Sequence, residues 1–575
     1  MKRLRQRDPE TYFFPQIISS LGFQLVSKMY FLHVLLAVPS LAIAATKSVH
    51  PLTEQLTVKT ITGTYTGLVD DAFPHVRQFR SIPYAEPPLG NKRWQPPIAA
   101  APSLRRSYAY RFPPSCPQYQ SKNLTAWNTN ITDFSIQLYG QSHSAGAMAQ
   151  ASSEDCLYLA VWTPFLNPNL TARDTKLPVA LFIPGGSWVT GGVDVPYQKP
   201  AAWIERTLAH IVVTANYRVN IAGFPWAAGL ETQNLGVLDQ RSALEWVYAN
   251  IAAFGGDPSR ITLWGHSAGG VAVDILNYAY HDNPLAAGLF MQSGTAMVNI
   301  SRPDRTHSNF TFVAKNLGCD FATDPSAELS CMRQVPMAQI QNFVGQYQDN
   351  GTRPPLTFKM VPDDRTVFFN YTARTEKGLI SRIPALVSTT SNEEASLYRY
   401  PASNVTAGPY QPAVDAATVD VFVCLARNTT QARKQQGVTT YRYEYAGNFS
   451  NVTPLSWMGA YHASDIPMIF GTYNTSTSRT AGIMPDDEHG LVRSQVTDFQ
   501  RRVADAMQEY VLAFMLDPEN GLRKRGWLPH DETVGSEVGG RNMIRFAAGG
   551  VVAQNVTAAD VDDSCVLGKK YNSSP

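Results

Sequence analysis

A serine flanked by two glycines is the clearest sign of chemistry in the sequence. The motif Gly265-x-Ser267-x-Gly269 follows the apolar run Ile261–Trp264 and precedes "VAVDILNY", which has a helical pattern. Where a strand turns sharply into a helix, a serine at the turn exposes its hydroxyl above the sheet, and glycines leave room for the crowded backbone. This context predicts that Ser267 is a nucleophile rather than a small residue in an ordinary glycine-rich turn.

A serine that attacks a carbonyl needs donors for the oxygen that becomes negative. The turn Pro184-Gly-Gly-Ser-Trp188 follows the strand-like run Val179–Ile183. Backbone N–H groups of such a loop can supply those donors. The turn would be unremarkable by itself, but the serine motif about 80 residues later gives it this role.

The acid and the base should both follow Ser267, because that is their order along the chain where the serine lies at such a turn. The strand-like run Ala385–Thr389 ends in Ser391-Asn-Glu-Glu-Ala395. Acids just past a parallel strand lie at the edge of the sheet where functional groups collect. The pattern leaves Glu393 and Glu394 as alternatives.

Five histidines follow the serine: His281, His307, His462, His489 and His530. Only the last three also follow the acidic pair. His462 lies in the turn-rich segment "GAYHASDIPMIFG" before an apolar run, whereas His489 lies in "DDEHG", which is typical of a solvated loop. The pattern favours His462 as the base and keeps His489 as the alternative.

The elements that position these residues alternate between strands and helices. We predict strands at 179–183, 211–215, 261–264 and 385–389, and helices at 240–251 and 496–517. Such alternation indicates a mainly parallel sheet covered by helices on both faces. We therefore expect residues 45–575 to form a single large α/β domain.

The N-terminus has the features of a secretion signal. A basic stretch is followed by the apolar segment 29–45, in which Ala42-Ile-Ala44 fits a cleavage site. We predict that residues 1–44 are a signal peptide with a long basic region, with Met29 as a possible true start. A membrane anchor is the alternative, but the apolar segment is short for a span and contains Pro39.

The cysteine count and the glycosylation motifs agree with secretion. The chain has six cysteines, an even number that suits disulfides in an oxidising compartment. It also has an excess of Asn-x-Ser/Thr motifs, which predicts a glycosylated extracellular protein. The fourteen acceptors are Asn123, Asn130, Asn169, Asn299, Asn309, Asn350, Asn370, Asn404, Asn428, Asn448, Asn451, Asn474, Asn555 and Asn572.

Charge and motif content exclude several classes of partner. The formal net charge is +2 and no basic patch is interleaved with aromatics, which argues against nucleic acid. The sequence has no His-Glu-x-x-His, no Cys-x-x-Cys pair and no dinucleotide fingerprint, so we expect neither a metal nor a cofactor. We also expect no stable membrane association once the signal is cleaved.

Longer segments resemble the type-B carboxylesterase/lipase family, which includes secreted fungal esterases and lipases and the cholinesterases. The resemblance runs from about Thr57 to Cys565. It is carried by "SIPYAEPPLGNKRWQPP" (81–97), "EDCLYLAVW" (154–162) and the serine signature "NLGVLDQRSALEWVYANIAAFGGDPSRITLWGHSAGG" (234–270). The resemblance implies an α/β-hydrolase fold and hydrolysis of carboxylic esters through an acyl-enzyme, with no cofactor.

Site residues follow from the resemblance position by position. It implies a triad of Ser267, Glu394 and His462, with Glu394 chosen because the family acid is the second of two adjacent acidic residues. It implies oxyanion-hole N–H groups from Gly186, Ser187 and Ala268, and at most a supporting role for Ser293. It implies three disulfides, Cys116–Cys156, Cys319–Cys331 and Cys424–Cys565, of which the last is absent from some fungal relatives.

Four positions depart from the family pattern. They are Pro184 in place of a frequent His or Tyr, Ser187 in place of Gly or Ala, His266 where cholinesterases carry Glu, and Ala395 in place of the Gly that usually follows the acid. Ser187 keeps its N–H group but adds a side chain that can reshape the hole. Ala395 leaves open how the acid loop lies, and we interpret His266 as a structural neighbour of the serine rather than a catalyst.

The substrate class is less sharply indicated than the reaction. Leu124, Trp127, Ile131, Phe134 and Leu138 recur at helical spacing between the first two cysteines, as in the lipid-facing lid of a lipase. Poor helix formers and two glycan acceptors interrupt that stripe, which favours soluble esters. A triacylglycerol lipase is the alternative. A non-catalytic adhesion protein on the same fold is a remote one, because the triad is complete.

Overall fold

A twisted sheet of eleven strands organises the described part of the chain. Its strands are β3 (Leu68–Asp70), β4 (Phe73–Pro83), β8 (Tyr158–Pro164), β9 (Leu177–Ile183), β10 (Ile211–Ala215), β11 (Gly256–His266), β12 (Gly288–Gln292), β13 (Ala385–Thr390), β14 (Thr440–Tyr445), β15 (Asn542–Phe546) and β16 (Ala553–Thr557). Across the sheet their order is β16-β15-β14-β13-β12-β11-β9-β10-β8-β4-β3. The strands from β10 to β15 run parallel, and the outer strands on both sides pair antiparallel.

The computed structural model describes residues 54–123, 125–136, 147–148, 152–165, 176–298, 304, 306–321, 323–398, 404–474, 496–530, 542–566 and 569–575. They belong to one compact unit that spans His50–Pro575. The proposed signal peptide and His489 lie outside the described residues, as do Leu124, Leu138, Asn169 and Asn299. Two smaller sheets also occur, one of β1 (Thr57–Thr60), β2 (Gly63–Thr66) and β5 (Arg106–Tyr108), and one of β6 (Tyr119–Gln120) and β7 (Ala147–Met148).

Helices connect most of the parallel strands. They are α1 (Ala126–Thr129), α2 (Ala201–Thr207), α3 (Asn220–Gly223), α4 (Leu235–Asn250), α5 (Ala268–Ala279), α6 (Ser308–Asn316), α7 (Pro325–Met332), α8 (Met337–Asp349), α9 (Tyr371–Glu376), α10 (Gln411–Thr418), α11 (Cys424–Gln435), α12 (Ile466–Phe470), α13 (Asp498–Leu516) and α14 (Ala559–Asp562). None in the described part of the chain is long and apolar enough to cross a membrane.

Strand β9 shows why this sequence makes a sheet covered on both faces. Successive side chains of a strand point to opposite faces, and here both sets are apolar. Val179, Leu181 and Ile183 pack into one core cluster with α4 and α5, whereas Ala180 and Phe182 pack into a second with α13. All four predicted strands and both predicted helices are present, so the predicted α/β fold is confirmed, with some ends shifted by a few residues.

The described part of the chain contains three disulfide bonds. Cys116–Cys156, Cys319–Cys331 and Cys424–Cys565 are all formed, and no described cysteine is free. Each closed loop restricts the unfolded chain, which typically stabilises a fold by about 2–4 kcal/mol. The third bridge joins residues 141 apart in sequence and ties the C-terminal segment to the start of α11.

Candidate active site

Ser267 lies at the turn between β11 and α5, as its motif predicts. Its backbone has φ 57° and ψ −124°, a conformation that non-glycine residues rarely adopt. The two flanking positions must be glycine, because a Cβ atom there would clash with the neighbouring backbone. A Cβ on Gly265 would lie 2.2 Å from the carbonyl oxygen of Gly269, and one on Gly269 would lie 2.0 Å from that of Ile183. The crowded turn holds Ser267 partly exposed among buried neighbours.

His462 is brought to this turn from a loop between β14 and α12. Its ring contacts that of His266, the residue before the serine, with the ring centroids 4.6 Å apart. His462 is buried, and its Nδ1 lies 2.5 Å from the Oε2 atom of Glu393. A carboxylate at Nδ1 leaves the other ring nitrogen to act as a base. The structure thus brings together a serine, a histidine and a carboxylate that lie far apart in sequence.

The carboxylate on His462 belongs to Glu393, whereas the family pattern implied Glu394, so the geometry makes Glu393 the candidate acid. Glu393 is fully buried, and its other oxygen accepts a hydrogen bond from the N–H group of Thr390 at 2.8 Å. Adjacent side chains of a 3₁₀ turn diverge, and Glu393–Ser396 forms such a turn. Glu394 lies on another side of it, partly buried, with its own N–H group donating to the hydroxyl of Thr418.

Three effects act on the pKa of Glu394. Partial burial raises the pKa of its carboxyl, while the positive form of nearby His462 and the negative charge of Glu393 act in opposite directions on it. The Glu394 carboxyl therefore interacts with His462 through its charge, whereas the hydrogen-bond partner of the histidine is Glu393. The residues alone had left both glutamates open. No local signal ranks them, because the choice depends on how the turn faces His462.

The loop after β9 lies against the serine turn. A Cβ on Gly185 would approach the Cβ of Ser267 to 3.0 Å. Gly186 and Ser187 have φ values of 118° and 54°, which turn the chain sharply past the serine. Ala268 begins α5, where the first N–H groups of a helix have no intrahelical acceptor.

In the part of the chain that the structure describes, the N–H groups of Gly186, Ser187 and Ala268 have no hydrogen-bond acceptor. Three free donors beside a nucleophile can stabilise an oxyanion. Ser293, by contrast, is buried one residue past β12, and its hydroxyl has no partner among the described residues. Its supporting role stays a prediction.

His266 is a buried neutral neighbour of the site. Burial, and next the positive form of His462, lower the pKa of His266 well below its ordinary value. Its Nε2 has no hydrogen-bond partner among the described residues. An imidazole that stays neutral cannot compete with His462 for a proton, and it faces His462 rather than solvent. This agrees with the interpretation of His266 as a structural neighbour.

Aromatic and acidic groups that the sequence analysis did not single out complete the surroundings of His462. The ring of Phe422 lies 5.0 Å from that of His462, and the ring of Trp127 lies 6.4 Å away. Asp465 is fully buried and accepts a hydrogen bond from the hydroxyl of Tyr443. Burial raises the pKa of Asp465 to about 6. Phe422 has no distinctive sequence context, so only the fold reveals it.

The described residues contain no cluster of three or more His, Cys, Asp or Glu side chains that could hold a metal ion. The arrangement of serine, histidine and carboxylate beside free N–H donors can carry out acyl transfer with protein groups alone. Ester and amide carbonyls are the electrophiles that this arrangement suits.

Comparison with known proteins decides the family. The carboxylesterase family model matches residues 54–411. The chain belongs to the carboxylesterase family. A chlorogenic acid esterase of Aspergillus niger is 37% identical over 521 residues, covering 89% of this chain and 94% of that protein. Secreted lipase 5 of Gibberella zeae is 36% identical over 541 residues, with the same coverage of both chains.

A solved structure of PNB esterase shares the fold with a TM-score of 0.67. It is 21% identical and covers 90% of this chain and 100% of that one. The sheet order and the two helical layers are thus those of the α/β-hydrolase fold. With the family model and the two fungal relatives, this carboxylesterase is a carboxylic ester hydrolase that acts on small ester substrates.

If His462 is the base for Ser267, activity should fall as the pH is lowered, because a protonated imidazole cannot take a proton. His266 should not contribute to this loss, since its lowered pKa keeps it neutral. We expect log kcat/KM to fall with a slope of about one proton as the pH is lowered. The His266→Gln variant should keep that slope. A flat profile, or a slope that changes from two protons to one in the variant, would contradict these roles.

Proposed function

We propose that the enzyme hydrolyses soluble carboxylic esters in two steps, with Ser267 as nucleophile, His462 as base and Glu393 as acid. His462 removes the proton of Ser267 as the hydroxyl oxygen attacks the ester carbonyl. Glu393 fixes the imidazole tautomer through Nδ1 and stabilises the imidazolium that forms. The 2.5 Å contact between Glu393 and His462 supports these two roles.

The tetrahedral oxygen then accepts hydrogen bonds from the N–H groups of Gly186, Ser187 and Ala268. Loss of one such donor costs about 3 kcal/mol in the transition state. His462 next gives its proton to the alcohol oxygen, the carbon–oxygen bond breaks and the alcohol leaves an acyl group on Ser267. A water molecule deprotonated by His462 attacks this acyl-enzyme, which releases the carboxylic acid and restores the serine.

The packing of one apolar stripe supports soluble esters over emulsified fat. Trp127, Ile131 and Phe134, from the predicted lid, turn inward in the structure. Ile131 is buried, and Phe134 contacts Tyr197 and Tyr461 with ring centroids 4.8 Å and 6.3 Å away. In place of one amphipathic helix, the described part of this stripe forms the single turn α1 and a 3₁₀ turn, Thr132–Phe134. Trp127 contacts the ring of His462, and Ile131 and Phe134 pack against other protein side chains instead of forming an outward apolar face.

The two fungal relatives do not decide between the classes, because one is named an esterase and the other a lipase at nearly equal identity. Aromatic rings beside His462, from Trp127 and Phe422, suit a flat apolar group of a small ester. A triacylglycerol lipase with a mobile lid is the second candidate.

The rate against tributyrin concentration distinguishes the two classes. We expect smooth saturation below the solubility limit, because the apolar stripe is already packed against the protein and needs no interface. Chlorogenate and p-nitrophenyl butyrate, which stay dissolved, serve as controls for intrinsic activity. A sharp rise in rate when droplets appear would reverse the choice in favour of the lipase.

We also propose that the enzyme is secreted and glycosylated after removal of residues 1–44, and acts as one domain. Support comes from the three disulfides and from the glycan acceptors. Of the twelve acceptors among the described residues, nine are exposed: Asn123, Asn350, Asn370, Asn404, Asn428, Asn448, Asn474, Asn555 and Asn572. Asn451 is excluded, because its side chain is buried and its amide donates to the carbonyl of Tyr473.

A further inference from the structure

We propose that the C-terminal segment 569–575 is a latch that positions the acid turn, with Tyr571 as its main positioning residue. This inference rests on the proposed function, in which Glu393 orients His462. The acid turn comprises residues 391–393, between the end of β13 and the buried carboxylate. It is held on two sides, and only one of those sides belongs to the loop that carries the histidine.

The histidine loop holds one side of the acid turn. The N–H group of Asn392 donates to the carbonyl of Ala460, and its side-chain amide donates to the carbonyls of Trp457 and Met458. The N–H group of His462 donates to the backbone carbonyl of Glu393 at 3.3 Å. These bonds fix how the two partners face each other locally.

The C-terminal segment holds the other side. The phenol of Tyr571 donates to the carbonyl of Ser391 at 3.0 Å, two residues before the acid. The hydroxyl of Ser391 donates to the carbonyl of Ser573 at 2.9 Å. The side-chain amide of Gln411 lies within hydrogen-bond distance of Asn392 Oδ1 and of the Ser573 hydroxyl. Two direct hydrogen bonds and one bridge through the Gln411 side chain thus join the segment to the acid turn.

The latch is itself anchored. The ring of Tyr571 is buried in a cluster with Val419, Val423, Met543, Ala558 and Val561. Burial raises the pKa of Tyr571 well above its usual value, so the phenol stays a donor. Cys565, four residues before the latch, is bonded to Cys424 and packs at the edge of this cluster.

The apolar cluster around Tyr571 is also connected to His462 through Phe422. Cys424 directly follows the segment Val419–Val423, a turn of π-helix in which Phe422 contacts the imidazole. A π-turn inserts an extra residue and re-aims its side chains. The same cluster therefore touches both the acid turn and an aromatic group on the base. A shift of the acid turn by about 1 Å is enough to reduce a rate severely.

Tyr571→Phe tests the latch with the least disturbance, because it keeps the buried ring and removes only the hydroxyl. We expect kcat for p-nitrophenyl acetate to fall about tenfold with KM changed less than about twofold. Tyr410→Phe, at an exposed tyrosine, is the matched control and should leave both constants unchanged. Ser391→Ala should lower kcat in the same way, whereas Lys570→Ala, at an exposed residue of the same segment, should not.

A double-mutant cycle separates positioning from general destabilisation. If the phenol acts through Glu393, Tyr571→Phe should change the residual kcat of Glu393→Gln by less than about twofold. A chain that ends at residue 568 should lose activity at least as severely as Tyr571→Phe, with its melting temperature recorded alongside. Tyr571→Phe with kcat within twofold of the wild type, or the same tenfold loss in both backgrounds, would overturn the latch. Loss of the need for Ser267 or Glu393 would instead overturn the proposed function.

Discussion

Ser267→Ala will abolish ester hydrolysis while leaving the fold and the three disulfides intact. Alanine fits the space of serine at the turn, and among the described residues the hydroxyl makes no hydrogen bond whose loss would disturb the sheet. Removing the nucleophile of such a triad leaves only the rate that the oxyanion hole and binding supply, so kcat should fall by about 10⁴-fold or more. The measurement is kcat/KM for p-nitrophenyl acetate, with labelling by a fluorophosphonate probe as a second readout.

Ser259→Ala is the matched control for the nucleophile. It changes an exposed serine at the opposite end of the same strand, β11, and should keep full activity and full labelling. Retention of most of the activity in Ser267→Ala would refute the nucleophile and, with it, the acyl-enzyme mechanism.

Glu393→Gln will be far more damaging than Glu394→Gln. An amide in place of the Glu393 carboxylate can neither select the productive imidazole tautomer nor stabilise the imidazolium, which lowers kcat by about 10⁴-fold in a comparable triad. Glu394 lies outside hydrogen-bond reach of the histidine and acts only through its charge, so its variant should stay within severalfold of the wild type.

The pair is its own control, because the two substitutions are chemically identical and lie at adjacent positions. Melting temperatures should be recorded, since Glu393 is fully buried and its amide loses the contact with His462. A greater loss for Glu394→Gln would restore the assignment that the family pattern implied.

The turn of strand into helix at Ser267 was readable because its causes are local. Two glycines, an apolar run before them and a helical pattern after them each follow from steric limits over a few residues. The four buried strands were predicted for a similar reason, since a strand covered on both faces must be apolar throughout. The glycine-rich loop after β9 was located in the same way, although its approach to Ser267 is a long-range contact.

The stripe of apolar residues between the first two cysteines shows the limit of a periodic pattern. Trp127, Ile131 and Phe134 have the spacing of an amphipathic helix, but poor helix formers interrupt it. In the structure the chain makes two short turns, and the three side chains pack on residues from distant loops. Burial against Tyr461 and Tyr197 outweighs local helical propensity, which is weak in this asparagine- and threonine-rich segment.

The sequence by itself determined the fold class and located the serine turn and the glycine loop, and it favoured His462 over His489, because each depends on a local pattern or on order along the chain. Only the tertiary structure placed Glu393 rather than Glu394 on His462, placed Phe422 on the same ring and brought residues 571–573 to the acid turn. Glu393 and Glu394 are the same residue type and have nearly the same neighbours in sequence. What separates them is the direction each side chain takes from a 3₁₀ turn, and that direction is fixed by contacts with loops 65 to 180 residues away.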